Sequence, residues 1–138
     1  MSNKQRIAKF GILAALALAV VSGAIAFASV SAQQSSGGNK VSIVEGASTM
    51  ADKAFSPSPA NVKVGDTVTW TNDDSTPHTV TSGTGPSDPS MGKEFNSSPG
   101  LKTLIAPNQT FSHKFTTAGQ YPYFCQVHPT MVGKVIVS

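Results

Sequence analysis

From Lys40 to Ser138 the chain nowhere sustains the 3.6-residue apolar period of an amphipathic helix. It runs in short stretches of alternating apolar and polar residues, cut apart by Gly, Pro, Asn, Asp and Ser. That pattern predicts strands over 41–44, 61–64, 67–71, 78–82, 109–116, 120–125 and 133–137 and makes the protein all-β, with seven to eight short strands folded as a β-sandwich. Successive side chains on a strand point to opposite faces, so parity marks the inward set: Val62 and Val64, Val68 and Trp70, Phe111 and Phe115, Tyr121 and Tyr123, Val135 and Val137. Cys125 shares the parity of Tyr121 and Tyr123, and His78 that of Val80. Residues 83–108, rich in Gly, Pro, Ser and Asp, read as a long excursion with at most one helical turn.

The first 32 residues have a different character. Lys4, Arg6 and Lys9 precede Phe10 to Ala28, an uncharged apolar run, and the run closes on Val30-Ser31-Ala32. A basic start, an apolar centre and small residues at the end are the marks of an export signal, cut before Gln33. The run is also close to the ~20 residues that span a bilayer, so residues 1–32 are expected to be a signal peptide or, left uncut, an N-terminal membrane anchor. Residues 33–39 (QQSSGGN) suit a flexible linker to a domain at 40–138.

Removing that segment changes the electrostatics. The whole chain carries a formal charge of +3 from 10 basic and 7 acidic residues. Lys4, Arg6 and Lys9 account for the excess, which leaves seven lysines facing seven acids from Gln33 onward. A neutral domain without a basic patch interleaved with aromatics gives no reason to expect nucleic acid as a partner. Cys125 is the only cysteine, so an internal disulfide is impossible. A free thiol in an oxidising compartment is either buried as a small hydrophobe or occupied, and a metal is the simplest occupant.

Cys125-Gln126-Val127-His128-Pro129-Thr130-Met131 places a thiolate, an imidazole and a thioether two residues apart each, able to face one point from a tight loop between strands. With a second imidazole this is the donor set of a trigonal His₂Cys copper site with a weak axial Met, suited to Cu(I)/Cu(II) cycling. His78, at a loop-to-strand junction in Thr76-Pro77-His78-Thr79-Val80, is the candidate. Zinc would use Cys and His equally well but has no use for Met131. The remaining histidine, His113, lies in line with Phe111 and Phe115 and reads as structural.

Three stretches, 62–70, 77–80 and 119–137, resemble the plastocyanin/azurin family of blue-copper cupredoxins, and the C-x-x-H-x-x-M spacing is most similar to the short ligand loop of amicyanin. The resemblance implies a Greek-key cupredoxin sandwich with one type 1 copper ion per chain. His78, Cys125 and His128 would be equatorial ligands and Met131 the axial one. It also implies that the backbone N–H of Thr79 donates to the Cys125 sulfur. Asn72 would tie the loop before His78 to the Cys125 loop, or else serve as an ordinary turn former beside Asp73-Asp74.

The resulting expectation is an extracytoplasmic, monomeric electron shuttle with no catalytic residues. It would meet redox proteins through the exposed edge of His128, bordered by Pro77, Pro129 and Met91, and touch a membrane only through an uncut N-terminal segment. The alternative is a copper carrier or store that delivers the ion rather than the electron.

Overall fold

The structure is a computed structural model in which residues 39–138 are described. The export segment and all but the last residue of the linker lie outside the described residues. Eight strands follow in order: β1 (Lys40–Ile43), β2 (Phe55–Ser56), β3 (Ala60–Val62), β4 (Thr67–Asn72), β5 (Thr81–Ser82), β6 (Thr110–Lys114), β7 (Gly119–Cys125) and β8 (His128–Val137). Only single 3₁₀ turns interrupt them, at Ala47–Thr49, Ala51–Lys53 and Pro99–Leu101.

The strands form two four-stranded sheets in the orders β2-β1-β4-β6 and β3-β8-β7-β5. The chain passes repeatedly from one sheet to the other. Its two parallel pairings, β1 with β4 and β3 with β8, are consequences of those crossings, because antiparallel neighbours alone would follow from hairpins. The all-β sandwich expected from the period-2 pattern, with seven to eight strands, is the observed architecture, and the count is eight.

Parity explains the core. On β4, Val68 and Trp70 are fully buried and the residues between them are not. Trp70 is the hub: its ring lies 5.5 Å from Phe95, 5.8 Å from Phe111 and 5.4 Å from Tyr123. Val135 and Val137 on β8 and Phe115 close the same cluster. Gly133 faces Tyr123 across the β7–β8 pair, and a Cβ there would overlap the phenol ring. Glycine is required at 133 for space.

Three expectations are corrected. Val64 is 49% exposed, because β3 ends at Val62 and the chain turns at Gly65-Asp66. The strand expected over 78–82 is reduced to Thr81–Ser82, and His78 instead makes an isolated bridge to Ile105. β2, which parity did not reveal, is only two residues long and carries the buried Phe55.

Residues 83–108 make an excursion whose returning limb contributes Phe95 and Ile105 to the core. Met91 lies beside Gly83, whose N–H bonds the Pro122 carbonyl at 2.9 Å, so it flanks β7 short of the ligand hairpin rather than bordering His128.

Candidate metal centre

β7 ends on Cys125 and β8 starts on His128, and the two residues are paired across the turn made by Gln126 and Val127. A register shift follows at once: Phe124 pairs with Val132 while Cys125 pairs with His128, so residues 129–131 form a bulge on β8. A bulge re-aims side chains, and here Pro129 and Thr130 are left exposed while Met131 is completely buried. Met131 thus belongs to a strand and not to a loop, with the inward parity of Val135 and Val137.

His78 reaches this hairpin from the other limb of the sandwich. The excursion holds its backbone on both sides: His78 N–H donates to Ile105 O at 3.1 Å and Ile105 N–H to His78 O at 2.8 Å. Its Nδ1 lies 3.8 Å from Cys125 Sγ, and His128 Nδ1 lies 3.9 Å from the same sulfur. The three ligand atoms fall within 4.8 Å of one another. Metal–ligand bonds to N and S are roughly 2.0–2.3 Å long, so atoms at such separations can share one ion between them. His113 stands apart from this cluster, packed between Phe95 at 5.0 Å and Phe115 at 4.8 Å. Burial pushes its pKa below 6.5, against a smaller opposing effect of Glu94.

The surrounding hydrogen bonds hold the ligands in place. Thr79 N–H donates to Cys125 Sγ at 3.3 Å, as the resemblance implied. His78 Nε2 is 2.8 Å from Asp74 Oδ2, which sequence reading treated only as part of a turn. Asp74 is itself fixed, because its Oδ1 accepts the N–H groups of Gly46 at 3.1 Å and Ser75 at 2.7 Å. Burial works against its charge. The bonds from His78, Gly46 and Ser75 outweigh that and hold the carboxyl at a pKa of about 2.

Asn72 is a correction in part. Its Nδ2 donates to Thr76 O at 2.8 Å and Ile105 O at 2.9 Å, and its Oδ1 accepts Asp74 N–H at 3.0 Å. It clamps the loop before His78 to the excursion, not to the Cys125 hairpin, and is a turn former as well. The hairpin is tied instead by Gln126, whose Nε2 donates to Thr81 Oγ1 at 2.7 Å and to Asn96 Oδ1 at 3.1 Å. No sequence signal marked Gln126 or Asp74, since neither lies on a periodic face.

A two-sheet sandwich that brings one buried sulfur and two imidazoles to a single point, with a buried methionine on the same β8 strand as His128, is a cupredoxin, and His78, Cys125, His128 and Met131 form its candidate type 1 copper site. The donors fit copper by their chemistry, soft sulfur with imidazole nitrogen. The family of copper-binding proteins described as plastocyanin/azurin matches residues 39–138, and the chain belongs to it.

Among its relatives, amicyanin-alpha of Methylorubrum extorquens is 35% identical over 94 residues, covering 64% of this chain and 68% of its own. The chloroplastic plastocyanin of Tetradesmus obliquus is 38% identical over 61% of this chain and 58% of its own. Paracoccus denitrificans amicyanin is 42% identical over 56% and 53%, so the chain spans little more than half the length of these last two. Among solved structures, a purple cupredoxin from Nitrosopumilus maritimus superposes with a TM-score of 0.61 at 35% identity, covering 72% of this chain and 98% of its own. The Cu(I) form of an amicyanin variant does so at 0.52 and 33%, covering 77% and 87%.

Proposed function

We propose that this protein is an extracytoplasmic blue-copper carrier that moves single electrons between redox proteins. Its ligands are His78 Nδ1, Cys125 Sγ, His128 Nδ1 and, more weakly, Met131. The observation that carries the reading is the convergence of three ligand atoms within 4.8 Å at a point where His78 and Cys125 have no solvent exposure.

The bound ion supplies a one-electron Cu(I)/Cu(II) couple; the chain does the rest. Two strands, a two-residue turn and a cross-excursion bridge hold the donors in one arrangement, so little has to move when the charge changes. Burial of His78, Cys125 and Met131 keeps water away. His128 is the partly exposed ligand, and we assign the electron's path to its ring edge. Pro77 and Pro129, each next to a ligand histidine and exposed, give that face an apolar border suited to brief docking. A neutral domain makes no strong electrostatic claim on its partner.

Export rests on residues 1–32, with cleavage before Gln33 or retention as an anchor. Among the described residues no helix is long and apolar enough to cross a membrane. Mass spectrometry of the purified protein should find Gln33 as its first residue.

The decisive experiment is an optical spectrum of the copper-loaded protein followed by redox titration in the presence of a Cu(I) chelator. An intense visible sulfur-to-Cu(II) band, reversible cycling and metal retained in both states are expected. Absence of the band sinks the assignment, and ready surrender of Cu(I) to the chelator replaces the electron carrier with an ion carrier.

A further inference from the structure

We propose that the side-chain hydroxyl of Thr79 is a second hydrogen-bond donor to the Cys125 sulfur and that it raises the reduction potential of the site. The inference rests on the copper reading above and goes beyond it. That reading requires a sulfur ligand; it does not require that one residue supply two donors to it.

Thr79 is completely buried, so water cannot serve its hydroxyl. The oxygen is pinned from one side: Gln126 N–H donates to Thr79 Oγ1 at 2.7 Å. A hydroxyl has two acceptor lone pairs and one proton, so with the oxygen acting as acceptor toward Gln126, the proton remains to be placed. Cys125 Sγ, 3.7 Å away, is the acceptor in reach, a separation admissible for sulfur because of its larger radius. The backbone N–H of the same residue is already on that sulfur at 3.3 Å. Leaving the hydroxyl proton unpaired in so dry a place would carry the full desolvation penalty of an unmade hydrogen bond, and the bond to sulfur removes that penalty.

The arrangement is also closed on itself. Gln126 follows Cys125 directly, so Thr79 Oγ1 joins the sulfur to the next peptide of its own chain and restrains the Cys125 side chain. Gln126 cannot drift away from that contact, because its side chain is held by Thr81 and Asn96.

The consequence for potential follows from charge. Sulfur carries more electron density opposite Cu(I) than opposite Cu(II), so each donor aimed at it stabilises the reduced state more. Hydrogen bonding around a ligand sulfur is an established lever on potential in sites of this type.

The test compares wild type with Thr79→Val, which keeps the shape and removes the hydroxyl, and Thr79→Ser, which restores it, all loaded with copper. Thr79→Val should shift the Cu(II):Cu(I) ratio at fixed solution potential roughly tenfold toward Cu(II), ~59 mV for one electron, and move the visible band to lower energy. Thr79→Ser should return both toward wild type. A blue wild type with Thr79→Val unmoved in potential, or unrescued by Thr79→Ser, overturns the hydroxyl assignment alone; a colourless wild type overturns the copper reading with it. Should the valine variant fail to fold, wild type loaded with an NMR-active cadmium isotope decides the matter. Scalar coupling from the metal to the Thr79 hydroxyl proton is expected, and coupling to the backbone N–H alone overturns the proposal.

Discussion

Asp74 Oδ2 lies 2.8 Å from His78 Nε2, and both side chains are withdrawn from solvent. A carboxylate held near a pKa of about 2 is an acceptor over the working pH range, so Nε2 carries the proton and the Nδ1 lone pair is left facing the Cys125 sulfur. Asp74 thereby sets both the tautomer and the orientation of the ring, a task that partners of ligand histidines commonly perform.

Removing that partner should loosen the metal. Asp74→Ala is expected to weaken copper binding by roughly 10–100-fold, with Asp74→Asn intermediate because its amide oxygen can still accept from Nε2. Competition against a chelator of known affinity measures it, and unchanged affinity in Asp74→Ala would deny the carboxylate this role.

Met131 is open to a volume-conserving change. Met131→Leu should fold within about 1.5 kcal/mol of wild type, keep an intense visible band because Cys125 is untouched, and raise the reduction potential because electron-poor Cu(II) loses a donor. Voltammetry reads the shift; a potential equal to wild type would remove Met131 from the ligand set.

Gly133→Ala tests the packing under the hairpin. The new Cβ would overlap the Tyr123 ring, and Tyr123 is wedged against Trp70 at 5.4 Å and Phe55 at 4.8 Å, with no free direction to retreat. A loss of about 1–3 kcal/mol is expected, seen as a lower urea midpoint of the metal-free protein.

Asn72→Ala should act on stability. It strips the partly buried Thr76 carbonyl of its Asn72 donor and the buried Asp74 N–H of its acceptor, while Ile105 O keeps the His78 N–H and loses only its second donor. A loss of about 1–3 kcal/mol follows if relaxation rescues all but one of these groups. The same denaturant titration as for Gly133→Ala would measure it, and a midpoint matching wild type would contradict the clamp.

Acid should weaken the metal-free protein in a window owned by His113. Burial lowers its folded pKa below the ordinary 6.5, so the unfolded chain binds more protons there, and stability rises with pH. The contribution is fully present above 6.5 and declines as pH falls from 6.5 through the folded pKa. His113→Phe should flatten the dependence of melting temperature on pH in that window while leaving the lower one, between 3.8 and about 2, where the unfolded chain takes up a proton on Asp74 that the folded protein does not. An identical slope in the variant would assign the effect elsewhere.

Much of this is legible in the amino-acid sequence. Period-2 alternation located seven of the eight strands, although β8 begins at His128 rather than at Gly133, and the parity of Cys125 and His78 pointed both inward, where they are found. The spacing of Cys125, His128 and Met131 carried the copper reading without help from the fold. What parity misjudged were the places where a strand stops: Val64 falls beyond the end of β3, and residues 78–80 pair with the excursion instead of extending β5.

The sequence by itself determined the sandwich and marked Cys125, His128 and Met131 as candidate donors, because strand period and ligand spacing are local properties of neighbouring residues. Tertiary structure alone decided what else surrounds the donors: Asp74 on His78, the Thr79 hydroxyl near Cys125, Ile105 bracing His78, and the bulge that turns Met131 inward. Each of these depends on a turn, a register shift or a contact between distant segments. Alternation says that a side chain is buried; it carries no information about which partner waits there, and that is settled only when two sheets pack and the intervening loops close.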